Sequence, residues 1–339
     1  MVARLPAQTH ALYAELLERL LAESARHGPG KTPGTFVHKT IKGESYVYFQ
    51  FSEPGGRVRQ LYLGKKGPAM ESLIKRFKDE KPQDELEHAD IERLSAQLRI
   101  GGAWTMGPRP ARVLSAFASA GLFETGAVLV GTHAFGVIGN MLGARWEGAH
   151  VRTQDLDLAA VAMTAADATV QFDAPSALQR LELGFLPVPA LDPRHPSTSF
   201  KVRGEALRVD FLTPGKEGRP VTLPRLGTAA QPLPFLDYLL ENPERAAVVD
   251  GGGFLVLVPS PARFALHKAL IAQERPISQL AKSSKDLAQA AEVAALLAED
   301  RPGELTLAFD AIKARGWEKR FRIGWQRLAK SSGLSLPEL

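Results

Sequence analysis

The stretch from Ala127 to Ala160 sets the tightest limits on what this chain folds into. An apolar run, Ala127-Val128-Leu129-Val130, reads as a buried strand, and Gly131-Thr132-His133 leads from it into an apolar helix. After a charged, aromatic loop comes Thr153-Gln154-Asp155-Leu156-Asp157-Leu158, which alternates as a strand does. Asp155 and Asp157 therefore share a face, with their Cα atoms roughly 6–7 Å apart. Two acids at that spacing suit a shared divalent cation or the ion pair used in phosphoryl transfer. About fifty residues on, Leu207-Arg208-Val209-Asp210-Phe211-Leu212 carries a third acid in another alternating strand.

Each part has an ordinary alternative. Acid pairs sit on solvated strand faces, glycine is common at strand-to-helix turns, and threonine is a common N-cap. Against a solvated face stands the apolar flanking of all three acids. A carboxylate taken out of water needs a cation or hydrogen-bond donors to offset its desolvation.

At 339 residues the chain exceeds one comfortable core, and two or three domains are expected. There is no cysteine, which excludes a disulfide framework, thiol catalysis and cysteine-ligated zinc together. Residues 1–20 carry an acid and a helical apolar period rather than the core of a signal peptide. Gly126 to Ala144 is apolar over a span's length, but His133, Asn140 and its glycines mark a buried core element. A soluble, cytoplasmic protein without membrane contact is expected.

Residues 5–26 place Leu12, Leu16, Leu17, Leu20 and Leu21 at helical spacing, ended by His27-Gly28-Pro29-Gly30. Segments 35–42, 46–51 and 58–64, separated by turn residues, read as a three-stranded meander. A charged helix over 68–100 follows, and Gly101 to Pro110 marks a domain edge. Helices are expected from Ala111 to Phe123 and from Ser176 to Leu183, and a hairpin over 199–212 places Asp210 on its second strand. Gly251-Gly252-Gly253 reads as a hairpin turn, since no Lys-Ser/Thr follows as a phosphate-binding loop requires. From Ser260, an N-cap before Pro261, the pattern is helical almost to the end. Expected domains are 1–108, 109–259 and 260–339.

The order strand, Gly-Thr turn, helix, Asp-x-Asp strand and later lone-Asp strand resembles the nucleotidyltransferases of the DNA polymerase β superfamily. Pro261-x-x-Phe264-Ala-Leu-His-Lys268, a short loop, then Lys285-Asp286-Leu287 is similar to the last two motifs of bacterial abortive-infection and toxin–antitoxin nucleotidyltransferases. Residues 129–135, 142–146, 152–157 and 39–51 also look like an uncharacterised bacterial nucleotidyltransferase-like family. The resemblance covers roughly residues 35–300. It departs from the superfamily in having Thr132 in place of serine and a long insert before the first acid.

That resemblance implies an α/β (α+β) fold: a polymerase β-type core, a small N-terminal β-rich module and a C-terminal helical domain. It implies a nucleoside triphosphate substrate and Mg²⁺, with Mn²⁺ as the alternative, held by Asp155, Asp157 and Asp210. Gly131 and Thr132, at a helix N-terminus, suit the triphosphate, with Thr153 beside them. Lys268 is expected on the phosphates, and Asp286 is expected to be required for activity. The implied reaction moves a nucleoside monophosphate to a macromolecular acceptor. RNA is favoured, with the 3′ end of tRNA as its specific form, in a toxin-like role that would bring an antitoxin partner. Alternatives are nucleotidylation of a protein or small-molecule hydroxyl, and a nucleic-acid-binding module whose transferase has lost activity.

His133 has no metal-ligand spacing and reads as a structural histidine. Arg145 and Arg152 are read either as phosphate clamps or as solvated surface. Between Lys31 and Lys81, cations such as Lys39, Lys42, Arg59 and Lys65 interleave with Tyr46, Tyr48 and Tyr62, which suits phosphate contact and base stacking. Near the C-terminus Trp317, Phe321 and Trp325 recur at i, i+4, i+8, a core-facing stripe, with lysines and arginines solvating the other face or contacting nucleic acid.

Overall fold

The computed structural model describes residues 2–27, 34–41, 43–52, 58–147, 153–162, 172–190, 192, 194–273, 280–333 and 336–338. It describes backbone alone at 27, 34, 41, 51, 52, 59, 73 and 76–84. Helix α1 (Ala7–His27) opens the chain, followed by strands β1 (Gly34–Ile41), β2 (Glu44–Ser52) and β3 (Val58–Lys65) and helix α2 (Pro68–Ile100). The three strands form the expected antiparallel meander in the order β1-β2-β3. The stripe α1 buries is Tyr13, Leu16 and Leu20, while Leu21 is exposed. It packs on Ile91, Leu94 and Leu98 of α2.

Next come α3 (Pro108–Ser119), β4 (Val128–Val130), α4 (Gly131–Met141), β5 (Asp155–Ala159), α5 (Ala174–Arg180), β6 (Phe185–Pro187), β7 (Ser199–Val202), β8 (Arg208–Pro214), β9 (Val221–Leu223) and β10 (Thr228–Leu233). Helix α3 starts and stops a few residues before the span read from periodicity. Gly121, at φ 84, turns the chain and a single 3₁₀ turn covers Phe123–Thr125. The Asp173 carboxylate caps α5 by accepting from the Ser176 N–H at 2.8 Å, which starts that helix earlier than expected.

These strands make one mixed sheet of seven. Strand β4 is antiparallel to β5, β5 is parallel to β8, and β8 continues into a parallel pairing with β10. Strand β9 closes that edge against β10, while β7 runs antiparallel to the first half of β8 and carries β6. The parallel β5–β8 pair requires a crossover, supplied by the chain between them with α5.

The remaining elements are α6 (Leu236–Leu239), β11 (Glu244–Val248), β12 (Phe254–Val258), α7 (Pro261–Ala272), α8 (Leu280–Asp300), α9 (Pro302–Ala314) and α10 (Glu318–Ser332). Strands β11 and β12 form a hairpin whose turn is Gly251-Gly252-Gly253, all three at positive φ. The triple glycine thus makes a turn, as read from the sequence. The Tyr13 hydroxyl bonds the backbone of Ala247 in both directions, donating to its carbonyl at 3.2 Å and accepting from its N–H at 3.1 Å.

One continuous core runs from Met106 to Leu328. The expected boundary at 259 falls between β12 and α7 and the one at 108 on the first residue of α3, while α7–α10 share their core with the sheet. Phe321 and Trp325 are buried and stack on each other with centroids 5.4 Å apart, as the i, i+4 spacing implied. Among the described residues, no helix is long and apolar enough to cross a membrane.

Helices α7 and α10 cross at Gly324, where an added Cβ would press into the Ala269 carbonyl. Backbone cannot move aside as a side chain can, so the crossing demands glycine. Gly324→Ala is expected to lower stability by about 2 kcal/mol in thermal or denaturant unfolding. A change below about 0.5 kcal/mol would mean that the helices do not meet this closely.

Candidate active site

Three carboxylates meet on the sheet because of register. Asp157 lies opposite Asp210 in the parallel β5–β8 ladder, with Val130 on its other side and Ser199 flanking Asp210. Strand alternation turns Asp155 to the same face as Asp157 while Leu156 and Leu158 are buried beneath. Asp155, Asp157 and Asp210 all line one cleft of about 530 Å³, together with Gly131, Thr132, Thr153, Lys268 and Asp286. Every residue expected in the site therefore opens on the same space, although Asp210 and Asp286 are distant in sequence.

Gly131 is indispensable to this geometry. It sits at φ 69 as the first residue of α4, and a Cβ there would run into the Asp157 carboxylate. Only a bare backbone lets the start of α4 approach the acid so closely. Free N–H groups of the first helical turn then lie beside the carboxylates, a setting that favours anions. Val130, not Thr132, holds the N-cap position. Thr132 is buried, and the Gln289 amide donates to its hydroxyl over a long 3.5 Å. The Thr153 hydroxyl accepts from the Asp155 N–H at 3.1 Å and fixes the entry to β5.

Clustered like charges leave a signature on Asp157. Burial, then Asp210, then Asp155 push its carboxyl up to about 7, against a smaller downward pull from Lys268 and Lys282. Asp210 is better supported, since Arg208 Nε donates to its Oδ1 at 2.7 Å and the Ser199 hydroxyl donates to the same oxygen. Arg208 also reaches Ser199 Oγ at 2.9 Å, so the three side chains form one small network.

Across the cleft stand cations from α7 and α8. Lys268 is buried and donates to Asp286 Oδ1 at 2.5 Å, joining the two helices. Lys282 and Lys285, on α8, line the same space. Burial and the neighbouring Lys268 lower the Lys285 ammonium, while Asp286, Asp157 and Asp155 act in the opposite sense. Helix α8 is described from Leu280 onward, so Lys285 and Asp286 lie beyond its first described turn rather than at its opening. The Ser283 hydroxyl, donating to the Ala272 carbonyl at 2.5 Å, ties that turn back to α7.

His133 is a structural residue, as its isolation in sequence suggested. Its Nδ1–H donates to the Asp155 carbonyl at 3.0 Å, and burial pushes its ring down to about 4, so it is neutral. Arg145 does not line this cleft and is instead exposed beside Glu147 at 4.0 Å. Arg152 falls outside the described residues. Sequence reasoning assigned no role to Lys282, Lys285, Ser199 or Arg208. The Arg208-Val209-Asp210 alternation could have flagged Arg208, since i and i+2 share a strand face. Nothing in the sequence pairs Ser199 with Asp210 before the hairpin register is known.

The expected trio of Asp155, Asp157 and Asp210 is not disposed as a three-acid metal site, Asp155 being exposed at the start of β5. No group of three or more Asp, Glu, His or Cys among the described residues is disposed to hold a metal ion alone. Mg²⁺ is commonly held by one or two carboxylates plus substrate phosphates and water, so the Asp157–Asp210 pair is a sufficient protein contribution. Burial first, and then the neighbouring Asp210 and Asp155, raise the Asp157 carboxyl, and a bound cation relieves the like-charge part of that rise.

A nucleotidyltransferase family model matches residues 109–313, more than half of the chain, and the chain belongs to that family. Neither a curated protein nor a solved structure matches it. The matched span holds every acid and lysine of the cleft, and it leaves out α1, the meander and α2.

The Lys268–Asp286 pair tests how the cleft is held together. Asp286→Ala leaves a buried ammonium without its carboxylate and is expected to cost about 3–5 kcal/mol in denaturant unfolding. The double change Lys268→Met with Asp286→Leu should recover most of that loss while still lacking nucleotide affinity. A double variant that bound nucleotide as well as the unaltered chain would remove Lys268 from the site.

Proposed function

We propose that this transferase moves a nucleoside monophosphate from a nucleoside triphosphate to a hydroxyl on a macromolecular acceptor, RNA foremost, with Mg²⁺ or Mn²⁺ as its cation. The observation that carries this reading is the pairing of Asp157 with Asp210 across β5–β8, facing Lys268, Lys282 and Lys285 over a single cleft. Acids on one wall and ammonium groups on the other match a triphosphate with its counter-ion. Asp157 and Asp210 would hold the cation, which when bound neutralises charge on the phosphate oxygens and the departing pyrophosphate.

The chain's own groups supply the rest. The first N–H groups of α4 and the Thr132 hydroxyl receive the phosphates, admitted by the missing side chain of Gly131. Lys268, positioned by Asp286, and Lys285 bind from the opposite wall. The acceptor oxygen attacks the α-phosphorus, a new P–O bond forms, and the bond to the β-phosphate oxygen breaks to release pyrophosphate. Asp210, oriented by Arg208 and Ser199, receives the hydroxyl proton. No side-chain nucleophile is required.

RNA is favoured over other acceptors by exposed cations and aromatics outside the matched span. Lys39 lies 4.6 Å from the centre of the Tyr48 ring, and Tyr62 is exposed on β3. Such surfaces contact phosphate and stack bases. The C-terminal cations support it less, because Lys313, Arg315 and Arg322 are paired with carboxylates of this chain. The sequence likeness of α7 and α8 to toxin–antitoxin enzymes supports the tRNA 3′ end as acceptor and an antitoxin as partner.

Incubation with each α-phosphate-labelled nucleoside triphosphate, Mg²⁺ and total RNA or lysate tests the reading, with label in RNA expected. Label in protein or in small molecules alone would move the acceptor to those classes. Asp157→Asn should lower transfer at least about a hundredfold. The same change should stabilise the cation-free fold. Because the folded-state carboxyl is raised, its contribution favours the fold at low pH and becomes a cost as pH rises from about 4 through about 7. Discounted for its place on an open cleft, the gain should be about 1–2 kcal/mol at pH 8 and vanish near pH 4, read as unfolding midpoints. Near-normal transfer by Asp157→Asn would exclude the mechanism.

A further inference from the structure

A second cleft, of about 870 Å³, opens beside the first and shares Thr153 and Asp155 with it. The exposed acid of the Asp-x-Asp strand thus stands on the wall between two spaces. One holds the lysines, and the other holds Trp104, Arg109, Arg145 and Gln154. From this adjacency, and resting on the transferase reading above, we propose that the second cleft is the acceptor channel. A single-stranded nucleic acid lies in it with its terminal hydroxyl beside Asp155.

Trp104 is built as a fixed platform. The Asn140 side chain accepts from the Trp104 N–H at 2.7 Å and donates to its carbonyl at 3.0 Å. Gly136 of α4 has no side chain where the indole lies, and any Cβ there would collide with the ring. His133 meets the indole edge to face, with centroids 6.0 Å apart. The ring is therefore held by backbone bonds, a glycine contact and a neutral imidazole, yet it stays half-exposed on the cleft wall. An indole immobilised in this way loses little entropy when a base stacks on it.

Charge points to the same class of ligand. Arg145, with a side chain 61% exposed, meets among the described residues only the Glu147 carboxylate, loosely at 4.0 Å, which leaves its guanidinium open to a phosphate. Arg109, in the first turn of α3, is held by Glu205 and fixes the opposite rim. The start of α3 adds its positive dipole end to that rim. A polynucleotide offers what these groups take, namely a flat base and a phosphate. Its terminal hydroxyl then reaches the shared wall at Asp155, next to the place of the α-phosphate.

The test uses the full chain and a fluorescein-labelled single-stranded oligoribonucleotide of about a dozen nucleotides. Fluorescence anisotropy gives its affinity across salt concentrations, and a fluorescent nucleoside triphosphate analogue is titrated separately. Arg145→Glu should weaken the oligonucleotide about tenfold and reduce the slope of log affinity against log salt by about one. Nucleotide-analogue binding should stay within about twofold. A photoreactive 5-iodouridine at the 3′ end should crosslink within residues 102–110, a readout that depends on no variant's folding. Unchanged oligonucleotide affinity in Arg145→Glu, crosslinks confined to other segments, or label passing to protein hydroxyls alone would overturn the channel. Nucleotide binding and turnover by the unaltered chain test the transferase reading independently. A chain that turns over nucleotide but fails the oligonucleotide tests loses only this proposal.

Discussion

Everything at the site depends on two carboxylates being forced together by a parallel ladder. Asp157 and Asp210 occupy opposed positions of β5 and β8, so they cannot separate without breaking the sheet. Repulsion between them is part of the native structure, and it adds to burial, the larger cause, in raising the Asp157 carboxyl. A fold tolerates such an arrangement where the charge is used, because apolar packing beneath it supplies the stability. Leu156, Leu158, Val209 and Phe211, alternating with the acids, are fully or almost fully buried and anchor both strands.

The other wall answers this charge without cancelling it. Lys268 is committed to Asp286, while Lys282 and Lys285 face the acids from α8 at a distance that leaves space between. The family match and the cleft agree in extent, since the matched residues run from the start of α3 to the last turn of α9 and enclose both walls. Packing explains why the walls stay in place. The α7 helix that carries Lys268 is gripped by α10 at Gly324, and α8 is tied to it by Ser283.

Much of this was legible in sequence, for identifiable reasons. The Asp155-Leu156-Asp157 and Val209-Asp210-Phe211 alternations announce strands with one buried face, and the structure has both. The meander, the long α2 helix and the glycine hairpin turn followed from turn residues and periodicity. What sequence could not show was register. Nothing local says that Asp157 lies opposite Asp210 rather than two residues away, or that Ser199 sits beside Asp210. Helix faces were blurred for a similar reason. In α1 several leucines compete, and only packing against α2 and β11 selects the Tyr13–Leu16–Leu20 stripe over Leu21. The second cleft was invisible because the stretch that carries Trp104 and Arg109 meets Arg145 and Asp155 through tertiary contacts alone.

The most direct test is the titration of Asp157 itself, followed by carboxyl-carbon NMR in selectively labelled protein. Without divalent cation its midpoint should lie near pH 7, and saturating Mg²⁺ with a non-hydrolysable nucleoside triphosphate should move it down by at least about two units. An Asp157 that titrates near pH 4 in cation-free protein, or whose midpoint ignores cation and nucleotide, would contradict the account.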